Sequence, residues 1–242
     1  MTEGNTIGVV GLGNMGLPIA LNLVKGGYPV AGVEIDQGRW ETAEGLTYVA
    51  DAAAALARTD TLLLSLPDGK VVQAFLAGLL ELSLPDAVTV IDTSTIGVAA
   101  AKAVHGLLAG ADLAYMDAPV SGGIAGAAAG TIALMFAGPK EQFETLSPVL
   151  QSMSKRPFHV GEEPGQAQAM KLLNNYLSGL ALTATSEAIT FGLTQGLEMS
   201  TMLDVLNVSS GQNTATSDKF PNRVLPETYD AEFLNTLYLK DI

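Results

Sequence analysis

Lys171 is the only charged residue between Glu163 and Glu187. If residues 165–179 (GQAQAMKLLNNYLSG) form a helix, Lys171 shares one face with Asn174, Asn175 and Ser178, at i+3, i+4 and i+7. The opposite positions are mainly Leu, Met and Tyr. A solvated stripe usually carries several charges in ion pairs. A single ammonium among amides and a hydroxyl fits a cleft wall better, and a lysine there can do acid–base chemistry. Its reference pKa of about 10.4 is too high for a base near neutrality. Partial burial with few neighbouring charges pushes it down.

Two further clusters bear chemistry. Residues 7–16, IGVVGLGNMG, contain G-x-G-x-x-G at Gly11, Gly13 and Gly16, after a strand pattern and at the start of a helix pattern. In that context Gly11 permits a tight turn, Gly13 lets the backbone approach a pyrophosphate and Gly16 lets the helix pack close to the sheet. Free N–H groups of the helix start then face the phosphates. An acid about 20 positions on is expected to bond the ribose hydroxyls. Glu34 and Asp36 both qualify. Glu34 is nearer the strand end and is favoured, with Asp36 read as a helix cap. A carboxylate there repels a 2′-phosphate and so favours NAD over NADP, while the nearby Arg39 weakens that preference. The second cluster is Ser121-Gly122-Gly123. After a strand end in a parallel sheet, successive N–H groups without side chains form an anion nest, and Ser121 adds a hydroxyl donor, which suits a carboxylate.

Other proton carriers are poorly placed. His105 and His159 have no carboxylate or serine at suggestive spacing and read as structural. There are no cysteines, which excludes disulfides, thiolate metal sites and a cysteine nucleophile. No His/Asp/Glu cluster has metal spacing, so the chemistry needs no metal. The net charge of −13 argues against nucleic acid or an anionic membrane as partner. Residues 4–24 are uncharged, but Glu3 precedes them, no basic region does, and they hold Pro18 and four glycines from Gly8 to Gly16. They read as strand, turn and helix, not as a signal or spanning segment, and the chain is expected to be cytoplasmic.

The elements that must position these groups alternate as far as residue 160. Strand patterns lie at 6–10, 30–35, 61–66, 88–92, 113–117 and 132–138, with helical segments at 15–26, 69–80, 97–110 and 140–152. The strands are almost continuously apolar, as in a parallel sheet covered on both faces. DAAAALA (51–57) reads as helix, AGAAAG (125–130) as a close-packed turn, and a strand end is expected at His159. Beyond Pro164 the strand signal stops. A long helix is expected over 164–193, with further helices at 200–208 and 230–241, and Ser209–Tyr229 as loop and short helix. The fold class is therefore α/β: a Rossmann-type, mostly parallel sheet domain over 1–162, then an all-α domain over 163–242. The long apolar helix predicts a homodimer formed through the helical domain. With 48 % hydrophobic residues, a sizeable core is expected.

Four ordered stretches, GLGNMG, DAPVSGG (117–123), GQAQAMKLLNN (165–175) and YLKDI (238–242), resemble signatures of the β-hydroxyacid dehydrogenase family, whose members include 3-hydroxyisobutyrate dehydrogenase and tartronate semialdehyde reductase. The resemblance implies an NAD- or NADP-dependent oxidoreductase, NAD favoured. It would interconvert a short, carboxylate-bearing β-hydroxy acid and its semialdehyde or keto form. It further implies a cofactor site of Gly11, Leu12, Gly13, Asn14, Met15, Gly16, Glu34, Leu66, Pro67 and Thr95, with Thr95 towards the nicotinamide end. Ser121, Gly122, Gly123 and Asn174 would bind substrate, and Asn175 would orient substrate or lysine. Lys171 would take the proton from the β-hydroxyl as hydride leaves the same carbon, and would return it in reduction. Lys240 would reach the cofactor or substrate, and like-charge repulsion from it would lower the Lys171 pKa further. Family members continue past the K-D motif through further helices, so the helical domain is expected to be incomplete relative to the family. Imine reductases share the fold type, but Lys171 replaces their aspartate or tyrosine. A dinucleotide-binding protein without catalysis is the remaining alternative. The small side chains of GIAGAAAG (123–130) leave space for substrate without naming it.

Overall fold

The computed structural model describes residues 6–39, 43–82 and 87–229. The Arg39 side chain, the helix expected over 230–241 and Lys240 lie outside the described residues. The chain divides into two compact units, Met1–Lys171 and Leu172–Ile242.

The first unit is an open sheet with helices on both faces. In chain order its elements are β1 (Ile7–Val10), α1 (Gly16–Lys25), β2 (Val30–Val33), β3 (Leu46–Tyr48), α2 (Ala52–Leu56), β4 (Thr61–Leu64), α3 (Gly69–Leu80), β5 (Val88–Asp92) and α4 (Val98–Leu107). They continue with β6 (Leu113–Asp117), β7 (Val120–Ser121), α5 (Gly123–Ala129), β8 (Ala133–Ala137), α6 (Lys140–Met153) and β9 (Arg156–Gly161). The strand order is β3-β2-β1-β4-β5-β6-β8-β7, with β9 paired to β8. The first six strands run parallel. β8 is antiparallel to both β6 and β7, and parallel to β9. Order 3-2-1-4-5-6 places a topological switch point between β1 and β4, where doubly wound sheets bind ligands at the carboxyl ends of the strands.

The strand period of two sends alternate side chains to opposite faces. Val9, Leu63 and Ile91 pack with Ile19 and Leu23 of α1 and Leu150 of α6. Val10, Leu62, Leu64 and Val90 pack with Leu56 of α2, Leu76 of α3 and Val104 of α4. This double burial is why the strands read as continuous apolar runs. Asp51 caps α2 through the Ala54 N–H (2.9 Å). Asp68 caps α3 through the N–H groups of Lys70 (2.8 Å) and Val71 (3.0 Å).

A long helix, α7 (Gln166–Thr194), begins in the first unit and continues into the second. It is followed by α8 (Met199–Asn207) and a wide π-type helix over Ala215–Val224. In the second unit Ile189 of α7, Leu203, Ala215 and Phe220 form a small core, with Met199, Met202 and Val224 packed on it. Asn213 braces the π-type helix: its Oδ1 accepts from the N–H of Ala215 (2.8 Å) and its Nδ2 donates to Thr185 Oγ1 (3.1 Å).

The structure differs from the sequence expectation at two places: Leu46–Tyr48 is a strand, and the segment read as a turn at 125–130 lies mostly in α5. The strand end expected at His159 is that of β9, and the short helix expected within 209–229 is Ala215–Val224.

Candidate functional site

The glycine loop follows β1. Gly11 has φ +87°, and a Cβ on it would fall inside contact distance of the Ser65 carbonyl oxygen. A Cβ on Gly16 would collide with the Gly11 carbonyl oxygen. Both positions exclude any side chain on backbone grounds, which is what a close phosphate cradle requires. Leu12 is buried, Gly13 and Met15 are half-buried and Asn14 is exposed. Glu34, one residue past β2, accepts the Leu12 N–H at 2.8 Å through Oε2 and the Asp36 N–H at 2.9 Å through Oε1. Asp36 in turn accepts the Gly38 N–H at 3.0 Å, capping a short 3-10 turn. The tight loop and the strand-end acid beside it fit a dinucleotide.

Leu66 and Pro67 follow β4, across the switch point. The Leu66 N–H donates to Ser94 Oγ at 2.9 Å, which joins this loop to the one after β5. Thr95 in that second loop is half-buried. Beneath it lies a buried polar cluster. Asp92, at the end of β5, accepts the Ser94 N–H (2.9 Å) and the Tyr115 hydroxyl (2.6 Å). Burial pushes the Asp92 carboxyl from the usual 3.8 up to about 6, against the lowering effect of its hydrogen bonds to Ser94 and Tyr115. Burial also raises Tyr115 well above its ordinary range. Asp117, at the end of β6, is raised by burial too, and accepts the N–H groups of Gly165 (3.2 Å) and Gln168 (3.1 Å) at the start of α7.

Ser121 closes β7, and Gly122 and Gly123 follow with φ +134° and +66°, conformations that favour glycine. β7 and β6 are each antiparallel to β8, so β7 shares the direction of β6. Ser121–Gly123 therefore sit at the carboxyl edge of the sheet, where the glycine loop, Leu66, Pro67 and Thr95 also lie. The structure brings all these predicted residues to one edge of the first unit.

Lys171 lies on α7 three residues after Gln168 and is half-buried. The next residues of α7 belong to the second unit. There Asn175 is buried, and Asn174 Nδ2 donates to its Oδ1 at 3.2 Å. Ser178 Oγ accepts from Lys219 Nζ at 2.9 Å, and burial lowers the Lys219 pKa. The predicted polar stripe is thus sheltered. The apolar side of the helix is the open one, with Leu173 and Tyr176 each 58 % exposed and Leu177 63 % exposed.

The sequence reading missed Asp92, Asp117, Ser94 and Gln168. Gln168 is fully buried, and a glutamine among alanines in an apolar helical run was its only signal. Neither histidine adds a proton carrier to the site. His105 stacks edge-on against Tyr115 with centroids 5.3 Å apart, and His159 Nε2 lies 2.8 Å from the Gly138 carbonyl oxygen.

Comparison with known proteins identifies the family. Residues 6–161 match the model of the NAD binding domain of 6-phosphogluconate dehydrogenase. Residues 165–242 match that of the NAD-binding domain of NADP-dependent 3-hydroxyisobutyrate dehydrogenase. An NAD-dependent L-serine dehydrogenase of Pseudomonas aeruginosa is 33 % identical over 247 residues, covering 98 % of this chain and 82 % of that protein. The solved structure of Mycobacterium tuberculosis 3-hydroxyisobutyrate dehydrogenase with L-serine superposes with a TM-score of 0.88 at 32 % identity, covering 98 % of this chain and 84 % of that one. An imine reductase from Pseudomonas sp. shares the fold alone, at 18 % identity and a TM-score of 0.74 over 93 % of this chain and 79 % of that one. With two family models matching residues 6–161 and 165–242, and a hydroxy acid dehydrogenase 33 % identical over 98 % of the chain, the chain belongs to the β-hydroxyacid dehydrogenase family.

Proposed function

We propose that this protein is an NAD(P)-dependent dehydrogenase that interconverts a short β-hydroxy acid and its semialdehyde or keto form, with Lys171 as general acid and base. The observation that carries this reading is the half-buried Lys171 on a sheltered helix face, in a family whose relatives are hydroxy acid dehydrogenases. Residues 1–162 act as the dinucleotide-binding domain and 163–242 as the helical substrate and dimerisation domain. Gly11–Gly16, Glu34, Leu66, Pro67 and Thr95 would hold the dinucleotide, which when bound supplies the hydride acceptor or donor. Ser121, Gly122 and Gly123 take the substrate carboxylate, Asn174 also binds substrate, and Asn175 orients substrate or lysine. Lys171 Nζ removes the hydroxyl proton during oxidation and returns it during reduction.

Glu34 supports NAD as the preferred cofactor, because a second anion at the ribose would repel a 2′-phosphate. The exposed apolar side of α7 supports a homodimer. Among the described residues no helix is long and apolar enough to cross a membrane; we place the protein in the cytoplasm. The test is Lys171→Ala, assayed on L-serine and 3-hydroxyisobutyrate with each cofactor. Loss of turnover is expected, with NADH binding and melting temperature kept. Turnover near the wild-type level in a folded variant would refute the assignment.

A further inference from the structure

We infer that Gln168 is a positioning residue that fixes the loop bearing Thr95 against the helix bearing Lys171. The inference rests on the functional reading above. The Gln168 side chain is fully buried and uses both ends of its amide. Oε1 accepts the N–H groups of Ile96 (2.9 Å) and Gly97 (3.1 Å), and Nε2 donates to the Ser94 carbonyl (2.9 Å). These three bonds bracket Thr95 on both sides and span 71 to 74 residues of sequence. The same residue is held from below, because its own N–H donates to Asp117 Oδ2 at 3.1 Å. Ser94 passes the constraint on, since its Oγ accepts the Leu66 N–H from the loop after β4. The helix start is packed tightly as well: a Cβ on Gly165 (φ +85°) would lie 3.2 Å from the Val98 carbonyl oxygen, just past the tethered loop.

Lys171 follows Gln168 by three residues, less than one helical turn. A shift of the 94–97 loop relative to α7 therefore changes the distance between the nicotinamide-end loop and the proton carrier. Catalysis in which proton and hydride leave neighbouring atoms is sensitive to misplacements of about 1 Å. Of the common side chains only an amide of this length meets all three backbone groups. Two N–H donors need an oxygen, and the carbonyl needs a donor. A glutamate meets them only while protonated.

The experiment compares Gln168→Leu and Gln168→Glu with the wild type. Amide hydrogen exchange of segment 94–97 is measured without cofactor. Faster exchange is expected in Gln168→Leu at every pH, and in Gln168→Glu only once its carboxyl ionises. Turnover of L-serine, or of L-serine dideuterated at C3, is measured with NAD⁺. In Gln168→Leu, kcat should fall about tenfold or more, and the isotope effect on kcat should rise because hydride transfer becomes rate-limiting. In Gln168→Glu, the kcat ratio to wild type should fall about tenfold between pH 6 and pH 9. A purely structural role would lower the active fraction and leave the isotope effect unchanged, which would overturn the inference. So would unaltered exchange at 94–97 in Gln168→Leu, or a pH-independent ratio in Gln168→Glu. If Gln168→Leu fails to fold, Gln168→Glu, compared at low and at high pH, keeps both arms. If wild-type protein turns over neither L-serine nor 3-hydroxyisobutyrate, the functional reading falls, and amide exchange still decides whether Gln168 ties the loop.

Discussion

The Glu34 carboxylate accepts the Leu12 N–H at 2.8 Å, so the acid that ends β2 also fixes the second residue of the glycine loop. In the proposed cofactor site, one carboxylate would thus set both the shape of the phosphate cradle and the charge at the ribose end. Glu34→Gln keeps an acceptor for Leu12 but removes the charge. The ratio of NADPH to NADH dissociation constants is expected to fall about tenfold, the size of one charge–charge term near a surface. Fluorescence titration with both reduced cofactors measures it, and an unchanged ratio would assign cofactor preference to other residues.

Gly16 is closed to any side chain by the Gly11 carbonyl oxygen. Gly16→Ala must move the loop or the start of α1, at a cost of about 1–3 kcal/mol. A lower melting temperature and weakened NADH binding should appear together. A variant that melts like the wild type and binds NADH as tightly would mean that the loop relaxes freely.

Asp92 makes stability depend on pH. Its folded carboxyl, raised by burial to about 6, lies above the ordinary 3.8 of the unfolded chain. Between these values the native state binds more protons than the unfolded state, so stability falls as pH rises from about 4 to 6 and levels off above. The loss attributable to this group is on the order of 3 kcal/mol. Asp117, also raised by burial, acts in the same direction. Asp92→Asn should flatten the slope without abolishing it. Urea unfolding of both proteins at pH 4, 5, 6 and 7 is the check, and parallel curves would show that Asp92 does not titrate there.

The strands of the parallel sheet and the lysine helix were legible because they rest on local pattern. Apolar runs covered on both faces mark β1, β4 and β5, and GQAQAMKLLNN lies in a proline-free helical run. Two local features escaped. β3 has only three residues, too few for a period to register. α5 is interrupted by Gly126, yet holds as a helix because Gly126 packs against Ile132, its Cβ position only 3.4 Å from Ile132 Cγ2, while Ala127 is fully buried. The short helix expected within 209–229 is Ala215–Val224, which buried Phe220 and the Asn213 side chain hold as a wide helix despite Pro221. The polar cluster under the site was illegible for another reason. Its bonds join residues 23 to 74 positions apart, and no window of sequence contains both partners. The catalytic candidates could be named from spacing; the groups that hold them in place could not.

Over residues 173–180, α7 buries Asn175 and exposes its apolar residues, the reverse of an ordinary surface helix. In the second unit Asn175 is buried while Leu173, Tyr176, Leu177 and Leu180 are each at least half exposed. Positions 173, 176, 177 and 180 are spaced i, i+3, i+4 and i+7 and so form one continuous stripe. Isolated exposed leucines need no explanation, but a contiguous stripe of this kind marks an interface. A second copy is the expected occupant, as a homodimer meets each stripe with an identical one. Leu177→Glu would then place two like charges near the symmetry axis and should shift sedimentation velocity from dimer towards monomer. The same change on a lone exposed helix should leave the first unit unaffected, with NADH affinity within about twofold of wild type. A wild-type protein that sediments as a monomer at micromolar concentration would rule the dimer out, and a Leu177→Glu dimer as tight as wild type would move the interface away from this stripe.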